Sequence, residues 1–142
     1  KGNAEYDTIR DIRSTICMPL IANGDITTPE EAEFVLAYTG ADAVMIGRGA
    51  QGNPWIFREI VHYLNTGKKL APPSRNEVTT VMQKHLQQLH DFYGERRGVR
   101  IARKHIGWYV QGIGDPNNFR AAFNQFETAK AQLDALEFFS SI

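Results

Sequence analysis

Two short glycine-bearing stretches hold the residue types best suited to grip an anion. Asn23-Gly24-Asp25 follows the uncharged, mostly apolar run Met18 to Ala22, and "GRGAQG", from Gly47 to Gly52, follows the apolar run Ala43 to Ile46. Glycine lets backbone N–H groups approach phosphate oxygens, and Arg48 adds a guanidinium beside them. The second stretch also spells G-x-G-x-x-G, the letters of a dinucleotide-binding crossover. Three features set that reading aside. A dinucleotide site starts its helix inside the motif, so that the first amides meet the pyrophosphate, whereas Asn53-Pro54 predicts a helix start after the last glycine. It also needs a strand ending in an acidic residue about 20 positions on, where Lys68 to Ser74 holds prolines and no acid. A lone G-x-G-x-x-G is, finally, a weak pattern in a chain with 12 glycines. Glycines that merely turn the chain remain an alternative for this loop taken alone. A phosphate clamp shared by both stretches accounts for the two together.

The elements that must position them follow from periodicity and capping. Residues 6–13 read as the end of an amphipathic helix with Ile9 and Ile12 inward, and Met18 to Ala22 as a strand with Pro19 tolerated at its start. Thr28 as N-cap, Pro29 at the first helical position and Glu31 closing a capping box predict a helix, with Ala32, Val35 and Leu36 buried and Gly40 as its stop. Ala43 to Ile46 reads as the next strand. Asn53 and Pro54 then open a helix with Trp55, Phe57, Ile60, Val61 and Leu64 on its apolar side, ended by Gly67. Two uncharged strands separated by a helix indicate a parallel sheet covered on both faces. Both glycine turns then leave one edge of that sheet. In a (β/α)8 barrel this C-terminal edge carries the active site, and the loops after strands seven and eight commonly bind a cofactor phosphate.

Beyond "KKLAPPS" the pattern predicts helices only. Ser74 and Glu77 form a second capping box ahead of Val78, Val81, Met82, Leu86 and Leu89. A segment near 98–111 follows a glycine-bounded basic loop, Asp115-Pro116 opens a helix with Phe119 and Phe123, and a last helix covers roughly 127–139 with Ala129, Leu133 and Leu136. Phe119, Phe123 and Phe126 are core candidates.

The whole chain is charge-neutral, with 16 Lys and Arg against 16 Asp and Glu, but residues 1–70 sum to −2 and residues 71–142 to +2. On a helical wheel Arg96, Arg97, Arg100, Arg103 and Lys104 fall within a sector of about 120°. Ile101, Ala102, His105, Trp108 and Tyr109 lie opposite as a packing face, with Arg96 and Arg97 near an uncertain start at Gly98. A basic stripe of this kind suits nucleic-acid phosphates, and an ordinary solvated face gives the same pattern. Trp108 and Tyr109 read as core rather than as base-stacking rings. His62, His85, His90 and His105 lack metal-ligand spacing, so no metal is expected. Cys17, the one cysteine, reads as a small buried residue at a strand's start. A single cysteine fits a reducing compartment. No membrane-length apolar run or signal pattern is present, so the expectation is a cytoplasmic protein without a membrane partner.

"PLIANGDI…GADAVMIGRGAQGNPWIF", with "HDFYG" and "RIARKHIGWY" downstream, resembles the bacterial tRNA-dihydrouridine synthases, most nearly their DusB class, over essentially all 142 residues. The "NGDI" and "MIGR" pair alone fits several FMN-dependent barrels, and the "RIARKHIGWY" block narrows the choice. The resemblance implies an α/β part followed by an all-α part. Residues 1–67 would be the last two β/α units of a (β/α)8 TIM barrel, 68–74 a linker, and 75–142 a helical bundle that docks tRNA. It implies that Asn23, Gly24, Asp25, Gly47 and Arg48 hold the phosphate of FMN. Such enzymes reduce the 5,6 double bond of specific tRNA uridines, with NADPH recharging the flavin and a cysteine from an N-G-C-P-type motif protonating the base. No such motif occurs here, so no catalytic residue is assigned and the chain is expected to be inactive alone. The full-length protein would be a monomer, and the excised piece prone to self-association through exposed barrel edges. A non-enzymatic helical RNA-binding module and another FMN barrel acting on a small molecule are the alternatives.

Overall fold

The computed structural model describes residues 4–112 and 116–140. The chain divides into two units, Lys1–Ala71 and Pro72–Ile142.

In the first unit the order is α1 (Asp7–Arg13), β1 (Ile21–Asn23), α2 (Pro29–Thr39), β2 (Ala43–Met45), a short 3-10 turn (Arg48–Ala50) and α3 (Ile56–Thr66). The strands pair in parallel, with Ile21 opposite Ala43, Ala22 opposite Val44 and Asn23 opposite Met45. The capping box forms as the sequence predicts: the Glu31 N–H donates to Thr28 Oγ1 at 3.2 Å, and the Thr28 N–H donates to Glu31 Oε2 at 3.0 Å. Caps of this kind contribute about 1 kcal/mol, and α2 then ends at left-handed Gly40. Ala22, Ile26, Ala32, Val35, Ile56 and Ile60 make the core, with Val44 packed against it.

Several expectations are corrected here. The strand predicted from Met18 begins only at Ile21. Pro19 has no N–H to give a ladder, and the Leu20 N–H is taken by the Asp42 carboxylate at 2.9 Å. Arg13 grips the same carboxylate through both terminal nitrogens, at 3.0 and 3.1 Å. Cys17 therefore lies outside the strand, exposed rather than buried. The sheet is covered on one face, not two: Ala22 faces the core, whereas Ile21 and Met45 are 62% and 49% exposed. α3 starts at Ile56, not at Pro54, and Asn53 contributes its carbonyl to the Ile56 N–H instead of a side-chain cap. Trp55, Ile56 and Ile60 are buried, but Phe57, Val61 and Leu64 are exposed, as is Ile12 on α1. The apolar stripe is wider than the surface available to cover it among the described residues.

The second unit contains α4 (Arg75–Tyr93), α5 (Glu95–Tyr109), α6 (Pro116–Phe123) and α7 (Ala129–Ser140). Asp115 lies outside the described residues. Ser74 caps α4 by accepting from the Glu77 N–H at 3.2 Å. α4 and α5 run antiparallel, with Gly98 against His90 near the turn and Tyr109 against His85 far from it. The helix predicted near 98–111 begins three residues earlier, so Arg96 and Arg97 are helical rather than in a leading loop. Gly98 is no break but a contact point: a Cβ there would stand 2.8 Å from His90 Cα and 2.9 Å from the Leu89 carbonyl oxygen. Met82, Leu86, Ala102, Ile106, Phe123 and Leu136 are fully buried. Phe119 and Phe126, half-buried, hold their ring centroids 5.9 Å from that of Phe123. Gln132 is buried among these apolar groups and joins three helices. Its Oε1 lies 2.9 Å from His90 Nε2 on α4, and its Nε2 donates to the Val99 carbonyl on α5 at 3.0 Å.

In an exposed helix interior Gly→Ala stabilises by about 1 kcal/mol. At position 98 the close approach reverses the sign. Gly98→Ala is expected to destabilise the chain by about 1–3 kcal/mol, read from urea unfolding followed by helical circular dichroism. A variant as stable as the parent, or more so, would contradict the packing described.

Candidate functional site

The parallel pairing sends both glycine-bearing loops out of one sheet edge. Asn23, Gly24, Asp25, Gly47 and Arg48 all line a single cleft of about 510 Å³, with Ile26, Thr27 and Gly49 completing its wall. The loops touch through Gly49, where a side chain would collide with the Ile26 carbonyl oxygen. Gly24 and Asp25 both have positive φ, +155° and +39°, which folds the first loop back on itself. A Cβ at Gly47 would meet nothing within 4 Å, so the cleft is open at that point. Arg48 Nη2 pairs with Asp25 Oδ1 at 2.5 Å and binds the loops together electrostatically. With 75% of its side chain exposed, Arg48 keeps further N–H groups free for an anion.

Two supports of this cleft carry no signal in the sequence pattern. The Ala4 N–H donates to Asp25 Oδ2 at 3.0 Å, and the Tyr6 hydroxyl donates to the Gly24 carbonyl at 2.6 Å. The chain leading into α1 thus latches the first loop. Glu31 has a second role beyond its helix: Oε2 also accepts from the Thr27 N–H at 2.7 Å and from the Thr27 hydroxyl at 2.9 Å. These hydrogen bonds hold the Glu31 carboxyl below the usual carboxylate range.

On α5 the five basic residues separate into two groups. Arg96, Arg97 and Arg100 are exposed and have no hydrogen-bond or ion-pair partner among the described residues. Lys104 is exposed and stands over the Trp108 ring, 5.1 Å from its centroid. Arg103 is turned inward, half-buried, and donates to the Phe126 carbonyl at 3.1 Å. Arg96, Arg100 and Arg103 share a cleft of about 550 Å³ with Glu95 and Glu127. The packing face is rotated from the one expected: Ala102 and Tyr109 are buried as predicted, Val99 and Ile106 join them, and Ile101, His105 and Trp108 are half-buried. Trp108 is therefore a surface ring and not core.

His85, His105, Trp108 and Tyr109 form a train of rings on one flank of the α4–α5 pair. His85 and His105 meet edge-on at 4.7 Å, and His105 meets Trp108 at 5.0 Å. The Tyr109 hydroxyl lies 3.2 Å from His85 Nδ1. Burial pushes the His85 pKa down. Burial also lowers that of His105, reinforced by the charges of His85 and Lys104. Among the described residues no group of three or more His, Cys, Asp or Glu is placed to hold a metal ion, and no helix is long and apolar enough to cross a membrane.

The family model described as "Dihydrouridine synthase (Dus)" matches residues 1–142. The chain is 60% identical over 139 residues to the tRNA-dihydrouridine synthase B of Shewanella oneidensis, covering 98% of this chain and 43% of that protein. It is 58% identical over 137 residues to the protein of the same name from Proteus vulgaris, and 56% identical over 136 residues to that from Escherichia coli. In both cases the match covers 96% of this chain and 42% of the relative, so the chain spans about two fifths of their length.

The two half-buried histidines, His85 and His105, give the helical unit a pH dependence with a definite sign. Their folded pKa values lie below the ordinary value near 6.5, so the unfolded chain binds protons first. The stability they contribute is present above that value and is lost as pH falls through the folded pKa values. Thermal melting is expected to shift to lower temperature between pH 7 and pH 5, and His105→Gln to flatten the shift. A wild-type melting temperature constant across that range would contradict the burial of these rings.

Proposed function

Since the chain belongs to the dihydrouridine synthase family, we propose that it is a C-terminal portion of a tRNA-dihydrouridine synthase, supplying the phosphate end of an FMN site and a tRNA-docking surface. The observation that carries this reading is the convergence of Asn23, Gly24, Asp25, Gly47 and Arg48 on one cleft at one edge of a parallel sheet. On this reading residues 1–67 are the last two β/α units of a (β/α)8 barrel, residues 68–74 a linker and residues 75–142 a helical bundle. The exposed face of Ile21 and Met45 is then a surface that the rest of the barrel covers. The whole protein is read as a cytoplasmic monomer, and the piece alone as associating through its exposed barrel edges. The names of the relatives weigh against a small-molecule barrel and against a non-enzymatic module.

The donor set fits a phosphate. The Asp25 charge is already occupied by Arg48 and by the Ala4 N–H, so it does not repel an incoming anion unopposed. Arg48 offers its remaining guanidinium N–H groups, Asn23 its side-chain amide, and the open side of Gly47 lets the backbone come close. Asp25 is a positioning residue for Arg48. FMN, when bound, supplies the hydride that reduces the uridine 5,6 double bond, with NADPH as its reductant. This chain's own residues bind and orient.

Arg96, Arg97, Arg100 and Lys104 serve the RNA by charge, because phosphate contacts give affinity and steep salt dependence rather than sequence reading. Arg103 contributes mainly by holding Phe126.

Two measurements test this. Arg48→Ala in the full-length protein is expected to weaken FMN binding by about tenfold, the loss of one charge-assisted contact, in a flavin fluorescence titration. An unchanged dissociation constant would remove Arg48 from the site. For the helices, tRNA affinity is expected to fall steeply with salt, with Arg100→Ala lowering the log–log slope by about one. Arg103→Ala should instead lower the melting temperature. Salt-independent binding in filter assays would contradict phosphate recognition by α5.

A further inference from the structure

Phe92 is 81% exposed, the most exposed large apolar residue among those described, and it sits on the last turn of α4 beside Tyr93. One exposed aromatic is unremarkable by itself. What surrounds this one is specific. Phe92, His85, Gln88, Asp91 and Tyr93 line an open cleft of about 610 Å³ together with buried Leu89, and the Asp91 carboxylate accepts from Gln87 Nε2 at 2.8 Å. His85 and Phe92 are seven residues apart, two turns along one face of α4. From His85 the train of rings continues through His105 to Trp108, under the ammonium of Lys104.

Arg97, Ile101 and His105 lie on one i, i+4 ridge of α5. The antiparallel pairing places Arg97 at the Phe92 end of that ridge. Arg97 is exposed, and the side chains of Arg97 and Gln88 have no hydrogen-bond partner among the described residues. An exposed flat ring beside a free cation is the combination that binds unpaired nucleotides: the ring takes a base face and the cation takes the backbone. A protein partner with an apolar knob would not need the unpaired Arg97 side chain at the Phe92 end of the neighbouring ridge. A nucleic acid does.

We propose that Phe92 is a stacking platform for an unpaired base of tRNA, with Gln88 at the base edge and Arg97 on the adjoining phosphate. This rests on the tRNA reading above and names which part of the RNA the helical unit meets: a single-stranded, unstacked nucleotide rather than duplex. Unpaired bases are the usual targets of protein aromatics in RNA, because duplex bases keep their faces covered.

Phe92 is exposed, so its replacement does not disturb the core and the test is clean. Phe92→Ala and Phe92→Leu are expected to weaken binding of unmodified transcribed tRNA by about tenfold, as for one lost stacked base, with an unchanged salt slope. Arg97→Ala should weaken binding and reduce that slope by about one. In a Phe92→Trp chain, the emission added over wild type should be quenched by a short oligouridylate and not by duplex RNA. If wild type binds tRNA and Phe92→Ala binds equally, the stacking proposal fails while the tRNA reading stands. If wild type binds no tRNA, both fail. A Phe92→Ala chain that binds tRNA normally but loses a self-associated state in sedimentation assigns the patch to a second copy and overturns the proposal.

Discussion

The parallel pairing of three residues with three others is the constraint on which the first unit depends. Asn23 and Met45 stand opposite each other as the last residues of their strands, so the chain leaves both strands at one level and on one side. An antiparallel pair would send the two loops to opposite ends and leave no shared cleft. The α2 crossover makes the parallel arrangement possible, and its capping box fixes where the first loop ends. The same Glu31 carboxylate that starts α2 also holds Thr27 in the cleft wall. Helix initiation and site geometry are therefore one interaction, not two.

In the second unit the corresponding constraint is the close approach at Gly98 together with the buried amide of Gln132. Gly98 lets α5 lie against α4 backbone to backbone, and Gln132 ties both to α7 with hydrogen bonds at each end of its amide. A buried amide costs several kcal/mol unless satisfied, so this side chain specifies one rotation of α5. That rotation turns Val99, Ala102 and Ile106 inward and leaves Arg96, Arg97 and Arg100 in solvent. The exposure of the arginines is a consequence of where α5 buries its other face.

Much of this was legible in the residues because the signals are local. The Thr28–Glu31 box, the left-handed Gly40 and Gly67, and the Ser74 cap each act within one turn of helix. The two loops were found because glycines follow short apolar runs. What could not be read depends on partners distant in sequence. Asp42 captures the Leu20 N–H and shortens β1, Phe126 draws Arg103 inward, and the Ala4–Tyr6 segment latches a loop some twenty residues on. Gly98 left the start of α5 open because propensity says nothing of a neighbouring helix. The wheel put Ile101, Ala102, His105, Trp108 and Tyr109 on the packing face and Arg103 in the basic sector, whereas the structure buries Ala102 and Tyr109, leaves Ile101, His105 and Trp108 half-buried and turns Arg103 inward.

The start of α7 has a partner of a different kind. Thr128 supplies a local cap, accepting from the Ala131 N–H, but the Ala129 N–H is met by Glu95 from the first turn of α5. Half of that helix terminus is thus borrowed from 34 residues upstream. Closing so long a loop costs entropy before the contact returns anything, whereas the α4–α5 hairpin closes through Gly94 alone. Loop-closure entropy therefore favours one order of assembly, in which the hairpin that carries the exposed arginines precedes α7, whose first turn draws on α5 for a hydrogen-bond acceptor.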